Sequence, residues 1–392
     1  MKPSRLRGSM SRNNQFLIIS QSGRALAVSA KRAGIDTHVI DLFVDEDTVE
    51  STLSNHSVTG FSGRSNSEAL IDIVTEYVIN NPELRIVVGS GLEECPDLLA
   101  QLEQRFSVIG NHSSVVKQVN DPVVFFKRLG ELALPYPDFF TDKDKPAESK
   151  GAFLIKTIGG AGGGHVRPYK KGMKLASICY CQVFLRGKNY SVTFLADGNS
   201  FRVLGFNETW VCDENRDFTF AGAVSNANLP NELCQQVIDA IRQLVPSFNL
   251  KGLCSLDFIV EEAGQYSILE INPRPTATFE LYEFRESLFV QHLAAFNGKM
   301  PGPESDPGLD PESSQGLSRA LGVLYAGESI TIPFLKWPGW VTDRPKQGKP
   351  IAKGEPVCTV HAEGFDTTSA KEQLMMRLAR QRALLGLSLK AA

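Results

Sequence analysis

Residues 252–274 read GLCSLDFIVEEAGQYSILEINPR, and this stretch decides how the rest of the chain is interpreted. Asp257-Phe-Ile-Val260 and Tyr266-Ser-Ile-Leu-Glu-Ile271 are β-rich apolar runs separated by the turn segment Glu261–Gln265, which predicts a hairpin. Alternation with a period of two puts Glu270 and Asn272 on one face, with Asp257 on the neighbouring strand. Three oxygen donors without His or Cys suit a hard cation such as Mg²⁺, or Mn²⁺ in its place, which bridges phosphate oxygens in nucleotide enzymes. Acidic residues solvated at strand ends give the same pattern, so the hairpin alone leaves both readings open.

A second signal lies upstream. Phe153-Leu-Ile-Lys156 reads as a short strand that runs into Thr157-Ile158-Gly159-Gly160-Ala161-Gly162-Gly163-Gly164-His165. Glycine loses more conformational freedom on folding than any other residue, so a cluster points to backbone amides that must approach a ligand. Such amides can form a nest for phosphate oxygens, with Lys156 adding positive charge. No Gly-Lys-Ser/Thr follows, which excludes a Walker loop, and His165-Val166-Arg167-Pro168 is no helix start, which excludes the dinucleotide fingerprint. A flexible surface turn remains the alternative for the loop taken by itself.

In this order, a Lys-ended strand, a glycine-rich loop, a hinge segment and an Asp…Glu-x-Asn-x-Arg ending resemble the ATP-grasp superfamily over roughly residues 14 to 300. The resemblance implies ATP as cosubstrate and Mg²⁺ held by Asp257, Glu270 and Asn272. It further implies that Lys156 and Gly159, Gly160, Gly162, Gly163 and Gly164 hold the phosphates, and that Arg274 meets charge developing on the transferred group; Lys156 and Arg274 would be the catalytic pair. In relatives the hinge, here Tyr180 to Gly187, holds adenine by its backbone and a flanking acid. Gln182 stands where that acid is usual, Phe184 and Leu185 follow it, and Asn189 falls where many relatives place a ribose-binding carboxylate. Both nucleotide contacts are therefore neutral in this chain. A further departure is Asp121-Pro122, where relatives often carry Asp-Lys ahead of the Leu134-Pro-Tyr-Pro137 turn. Lys127, on a helix predicted from about Pro122 to Leu132, and Lys117 are the candidate replacements, each equally readable as a solvent-facing lysine.

The implied fold class is α/β, with an α+β central part: an ATP-grasp architecture with an N-terminal Rossmann-like parallel-sheet domain, two ATP-clamping subdomains and a small C-terminal β-rich unit. The expected divisions are a disordered tail over 1–13, the N-terminal domain over 14–115 and the ATP-grasp domain over 116–300. That domain splits into a small subdomain of about 140–187 and a large one of about 188–300. A Pro-, Ser- and acid-rich linker, 301–316, then leads to a separate β unit closed by an amphipathic helix from about Thr368 to Leu385. Leu374, Leu378 and Leu385 would lie on one side of that helix, with Lys371, Arg377 and Arg380 exposed.

The N-terminal strands Phe16–Ile19, His38–Leu42 and Arg85–Val88 alternate with helices from Arg24 to Ala33 and Ser67 to Asn80, so they read as parallel. The loops Ser20–Gly23 and Gly89–Glu93 leave carboxyl ends of strands, where open α/β sheets bind ligands, which makes Arg24 and Glu93 pocket candidates. Such loops also need Gly and Ser merely to turn. Trp337 and Trp340 are candidates for aromatic surface, and Phe279, Tyr282, Phe284 and Trp210 for a pocket lining, with core packing the alternative for each.

A chain of 392 residues exceeds one ordinary domain. Its net charge of −3 offers no basic field for nucleic acid, and no apolar run is long enough to cross a bilayer. The seven cysteines, with no C-x-x-C pair, suggest reduced thiols and a cytoplasmic enzyme, for which a homodimer is allowed. No Ser/His/Asp constellation is visible.

What the resemblance implies chemically is activation of a carboxylate to an acyl phosphate, then attack by an amine, on small-molecule partners. A looser resemblance, carried by Gly89–Glu93, Gly110-Asn111 and the C-terminal Gly-x-Pro-Ile…Gly-x-Pro-Val-Cys-Thr-Val pattern, is to the tyramine–glutamate ligase branch that builds methanofuran-type one-carbon carriers. It implies glutamate as acid and tyramine or tyrosine as amine. Two alternatives stand beside the ligase: a carboxylase of the biotin-dependent type acting on a separate carrier, since the chain lacks the Ala/Val-Met-Lys-Met tetrad, and a nucleotide-binding module without turnover.

Overall fold

β1 (Phe16–Ile19) is four apolar residues, all buried, as expected for a strand covered on both faces. The computed structural model describes residues 15–142, 152–170, 172–212, 218–284, 287–299 and 316–387; the tail 1–13 and the linker stretch 301–315 lie outside the described residues. β1 is followed by α1 (Arg24–Arg32), β2 (Thr37–Asp41), α2 (Glu46–Ser51), β3 (Ser54–Ser57), α3 (Arg64–Asn80), β4 (Arg85–Val88), α4 (Pro96–Arg105) and β5 (Val108–Ile109). The five strands form a parallel sheet in the order β3-β2-β1-β4-β5. Their carboxyl ends carry the loops 20–23, 89–93 and 110–112. The short α2 and the polar strand β3, Ser-Asn-His-Ser, give no apolar periodicity, which is why pattern reading misses both.

α5 (Ser113–Asn120) and α6 (Pro122–Glu131) lead into a small sheet of β6 (Phe139–Phe140), β7 (Phe153–Thr157), β8 (Arg167–Pro168) and β9 (Cys179–Val183), in the order β6-β9-β7-β8. Asp121 caps α6 by accepting from the Val123 and Val124 amides, and Pro122 occupies the first helical turn, where a missing N–H costs nothing.

The remaining strands build the large sheet. β10 (Gly187–Asp197), β11 (Phe201–Val211), β12 (Phe220–Ser225), α7 (Asn231–Phe248), β13 (Lys251–Glu261), β14 (Tyr266–Asn272) and α8 (Leu288–Phe296) precede β15 (Ser318–Tyr325), β16 (Ile330–Thr331), β17 (Val341–Thr342), β18 (Pro350–Ile351), β19 (Pro356–Gly364) and α9 (Thr367–Leu384). The sheet order is β14-β13-β10-β11-β12-β15-β19-β17. The C-terminal strands are therefore not a free-standing unit: β15 hydrogen-bonds antiparallel to β12, and α9 closes their outer face around Leu374, which is fully buried. Lys371 and Arg377 are not exposed as expected. Lys371 pairs with Glu208 at 2.6 Å and lies over Trp210, and Arg377 lies over Trp340 while donating to the His361 carbonyl at 2.5 Å.

One face of the large sheet packs on α7, with Leu256, Phe258, Ile268 and Ile271 in that core. The other face, through Leu195 and Leu253, packs with Phe279 and with Phe289 of α8 against Phe16, Ile18 and Ala27 of the N-terminal layer. This second interface brings the carboxyl ends of β1 and β4 up to the segment that follows β14.

Candidate functional site

β13 and β14 pair antiparallel with Asp257 opposite Glu270 and Ser255 opposite Asn272. The register shifts between Asp257 and Phe258, where Leu269 is the extra residue of a β-bulge. The bulge changes the parity of the strand. Ile268 and Ile271, three apart, both enter the core, while Glu270 and Asn272 stay half-buried on the cleft side.

Around this pair a cleft of about 560 Å³ is walled by Glu270, Asn272, Arg274, the loop residues Gly159 and Gly160, and Phe126 of α6. Burial and the adjacent Glu270 carboxylate push the Asp257 carboxyl well above the usual carboxylate range, against the pull of Arg274 and Asn272. Asn272 links the set: its Nδ2 donates to Asp257 at 3.2 Å and its Oδ1 accepts from Arg274 at 3.1 Å. Among the described residues no group of three or more His, Cys, Asp and Glu side chains forms a metal cluster, so the donor set is two carboxylates and an amide oxygen. Two carboxyls pressed together, one of them pushed toward its neutral form, is the arrangement that a hard divalent cation relieves, and the donors fit Mg²⁺.

Arg274 sits between Pro273 and Pro275, donates to the Pro275 carbonyl at 3.2 Å and forms a buried ion pair with Glu93. Glu93 is thus brought into the site from the N-terminal layer, as its strand-end position suggested. Glu280, six residues beyond Arg274, pairs with Arg24 instead. Arg24 does not reach the cleft at all. It is clamped by Glu280 and by Asp343, whose carboxylate it grips at 3.0 Å through both Nε and Nη2.

The glycine loop lies across the cleft. Gly163 has φ +79°, and a Cβ there would sit 1.9 Å from the Phe218 carbonyl oxygen, so only glycine lets the loop lie against the segment entering β12. The Gly162 carbonyl accepts from the Phe220 amide at 2.9 Å, which ties the two segments together. Gly159 and Gly162 also have positive φ, whereas a Cβ on Gly164 would meet nothing closer than 3.5 Å. Lys156 is buried in β7 opposite Tyr180, and among the described residues no ion-pair partner engages it. Gln182 is buried in β9, with Nε2 lacking a partner. Phe184 packs edge-on against Phe218, Leu185 is half-buried beside it, and Asn189 lies early in β10, opposite Ile259.

Neither replacement lysine is brought in. Lys127 projects from the exposed face of α6 toward Glu131 at 3.9 Å, and Lys117 pairs with Asp97 at 2.7 Å. The α6 wall of the cleft is instead apolar, from Pro122, Phe125 and Phe126. The aromatic candidates are packing residues: Phe279 and Tyr282 are buried, the Tyr282 hydroxyl donating to Asn207 at 2.6 Å, and Trp210, Trp337 and Trp340 lie against the C-terminal core. Phe284 carries Arg319 over its ring at 4.0 Å.

Two cleft residues were not singled out from the sequence. Asn120 lines the cleft and donates to the Glu93 carbonyl at 2.8 Å. His165 also lines it, with its Nδ1 buried and unpartnered and its basicity lowered by burial. Its place at the end of the glycine run was the available signal; Asn120 had none.

A family model for the ATP-grasp domain matches residues 119–278, which span the cleft from α5 to just past Arg274. An uncharacterized protein of Methanocaldococcus jannaschii is 25% identical over 368 residues, covering 90% of this chain and 88% of its own. A D-alanine–D-alanine ligase of Francisella tularensis is 25% identical over 203 residues, 46% of this chain and 65% of the ligase. Among solved structures, the biotin carboxylase domain of the 2-oxoglutarate carboxylase of Hydrogenobacter thermophilus superposes with a TM-score of 0.70 at 14% identity, over 95% of this chain and 89% of that one. Residues 119–278 are an ATP-grasp domain, and the protein that carries it is an enzyme.

Proposed function

We propose that the enzyme is a carboxylate–amine ligase. A carboxylate oxygen attacks the γ-phosphorus of ATP and ADP leaves; the amine then attacks the acyl carbon of the resulting acyl phosphate, loses a proton and expels phosphate, leaving an amide. The observation that carries this reading is the convergence of Glu270, Asn272 and Arg274 on the cleft that the glycine loop covers, with Asp257 joined to them through Asn272. Phosphoryl transfer needs alignment and charge neutralisation more than covalent help. Lys156 and the amides of the 159–164 loop are suited to the triphosphate, and Arg274 to the charge that develops on the transferred group. Mg²⁺ held by Asp257, Glu270 and Asn272 would supply further positive charge to the phosphate oxygens. The unpartnered Gln182 Nε2 has a donor to offer the adenine edge, Phe184 and Leu185 apolar surface beside it, and Asn189 a neutral contact to ribose.

The sequence match to a D-alanine–D-alanine ligase supports the ligase reading. The superposition on a biotin carboxylase domain motivates a second one, in which bicarbonate is the activated acid and a separate carrier the acceptor. ADP release from purified enzyme with Mg²⁺ and ATP separates them. Release that requires one acid–amine pair, glutamate with tyramine being one of those tried, supports the ligase. Release that requires bicarbonate and biotin or a biotinyl carrier overturns it in favour of the carboxylase.

A further inference from the structure

A second, smaller cleft adjoins the first and shares Glu93, Pro273 and Arg274 with it. We infer that this second cleft holds the side chain of the acid that the ligase activates, and that it selects a short, uncharged chain carrying a hydrogen-bond acceptor toward His292. The inference rests on the ligase reading above.

Three features give it that selectivity. Its walls are apolar, from Val88, Leu92, Leu99 and Val116, all buried side chains of the N-terminal core and so fixed in place. The strand-end glycines narrow it further, since a Cβ on Gly110 would lie 3.2 Å from Val88. Among the residues that line it, Arg274 is the one cation, and Arg274 also lines the first cleft, where the reacting carboxylate would claim its charge. The second carboxylate of an acid such as glutamate would lose its water there and find no countercharge.

His292 supplies the polar contact. It lies in α8, 1% exposed, and its Nδ1 accepts from the Leu253 amide at 2.9 Å. That bond places the proton of the neutral ring on Nε2. Burial pushes the ring down to about 4, so it stays neutral, with its N–H intact, at ordinary pH. Nε2 is buried and has no partner among the described residues, and an unpaired buried donor is costly enough that an acceptor on the ligand is the natural occupant. The other polar neighbours are already used: Glu93 is taken by Arg274 and the Gly91 amide, and Asn111 bonds the Lys251 amide at 2.8 Å and the Lys251 and Pro273 carbonyls at 2.7 and 2.8 Å.

Calorimetric titration of the intact enzyme with Mg²⁺ and a non-hydrolysable ATP analogue tests this, using serine, lactate, alanine, glutamate and lysine as probes. Serine or lactate is expected to bind at least about ten-fold more tightly than glutamate or lysine, because a site rejects what leaves polar groups unpaired. His292→Asn keeps an acceptor for the Leu253 amide but removes the ring N–H; it should cost serine about ten-fold and alanine little. Val116→Leu fills the cleft and should weaken all the short acids with nucleotide affinity unchanged, which keeps the test decisive if the His292 variant does not fold. Glutamate binding as tightly as serine, no acid binding at all, or the folded variants binding like the parent overturns the subsite. ADP release with the same acids and an amine panel reads the ligase separately. Turnover with glutamate and none with short acids sinks the subsite alone, whereas short acids that bind without turnover under any amine sink the ligase reading and leave the subsite standing.

Discussion

Arg24 and Arg274 are both held among buried carboxylates, in opposite ways. Arg24 is closed off: Glu280 and Asp343 take both edges of its guanidinium and Asp47 lies 3.9 Å away, so acids from three parts of the chain surround one cation. Burial works against ionisation of Asp343, yet Arg24, with Thr359 and His361, more than offsets it and holds that carboxyl below its ordinary value. Arg274 has a single acid, Glu93, and otherwise faces two clefts and a pair of carboxyls in which Asp257 is pushed toward neutrality. Both assemblies gather at loops that leave the carboxyl ends of parallel strands. What separates a brace from a site is whether the protein itself encloses the cation. Both edges of Arg24 are taken by carboxylates, whereas Arg274 opens on two clefts beside a carboxyl pushed toward its neutral form.

The sharpest way to break that comparison is to remove the closed cation. Arg24→Ala leaves Glu280 and Asp343 buried without a partner, and loss of one member of such a cluster costs about 3–5 kcal/mol. Urea unfolding near neutral pH should show a drop of that size, with the ATP KM of the surviving folded enzyme little changed. A variant as stable as the parent would mean that the cluster braces nothing.

At the open cluster the expected effect falls on turnover. Glu270→Gln removes one of the two facing carboxylates with little change of volume, and loss of an electrostatic contact of this kind lowers kcat by about 10²–10³-fold. Stability should move the other way, because Asp257 loses its repelling neighbour. The sign with pH follows. A carboxyl raised in the folded state destabilises the cation-free protein progressively as pH rises from the ordinary carboxylate range toward the raised value. A divalent cation, which must displace that proton, binds more tightly over the same interval. Thermal shift with and without Mg²⁺ should therefore show a stabilisation that grows with pH in the parent and is lost in the variant. A Mg²⁺ effect independent of pH would break the assignment of Asp257.

The same contrast explains what could be read from the sequence. The β13–β14 hairpin, the parallel N-terminal strands, the glycine loop and the position of Lys156 were legible because each rests on local periodicity or local composition. The bulge at Leu269 was not, since it interrupts the alternation that made the strand readable, and it alone reconciles Ile268 and Ile271 in the core with Glu270 at the cleft. Arg24 and Glu93 carried the same signal, a polar residue in a strand-end loop, and only the long-range partners Glu280, Asp343 and Arg274 told them apart. The joining of β15 to β12 is equally non-local: the strands were visible, their pairing across the linker was not.

A smaller effect sharpens the account of the glycine loop. Gly163→Ala puts a Cβ 1.9 Å from the Phe218 carbonyl at a φ of +79°, and such strain costs about 1–3 kcal/mol. Displacement of the loop should raise the ATP KM while global unfolding changes less. Gly164→Ala, whose Cβ would meet only Thr219 at 3.5 Å, should leave KM close to the parent value. Equal effects of the two would show that the loop acts through composition and not through its contact with the strand entering β12.

The smallest effect tests the lysine that does not arrive. Lys127 is held toward Glu131 on the outer face of α6, and the inner face of that helix presents Pro122, Phe125 and Phe126 to the cleft. An exposed pair four residues apart on a helix contributes about 0.3–0.5 kcal/mol. Lys127→Ala should therefore cost no more than that in stability and leave the ATP KM unchanged, and Lys117→Ala should behave alike. Lys156→Ala should raise the KM by itself, because Lys156 ends β7 just ahead of the glycine loop that walls the cleft, and neither Lys127 nor Lys117 lies there. If Lys127→Ala weakened nucleotide binding about as much as Lys156→Ala, α6 would have to turn by about half a revolution on ATP binding, burying Lys127 and exposing Phe126, and the apolar wall would belong to the empty enzyme alone.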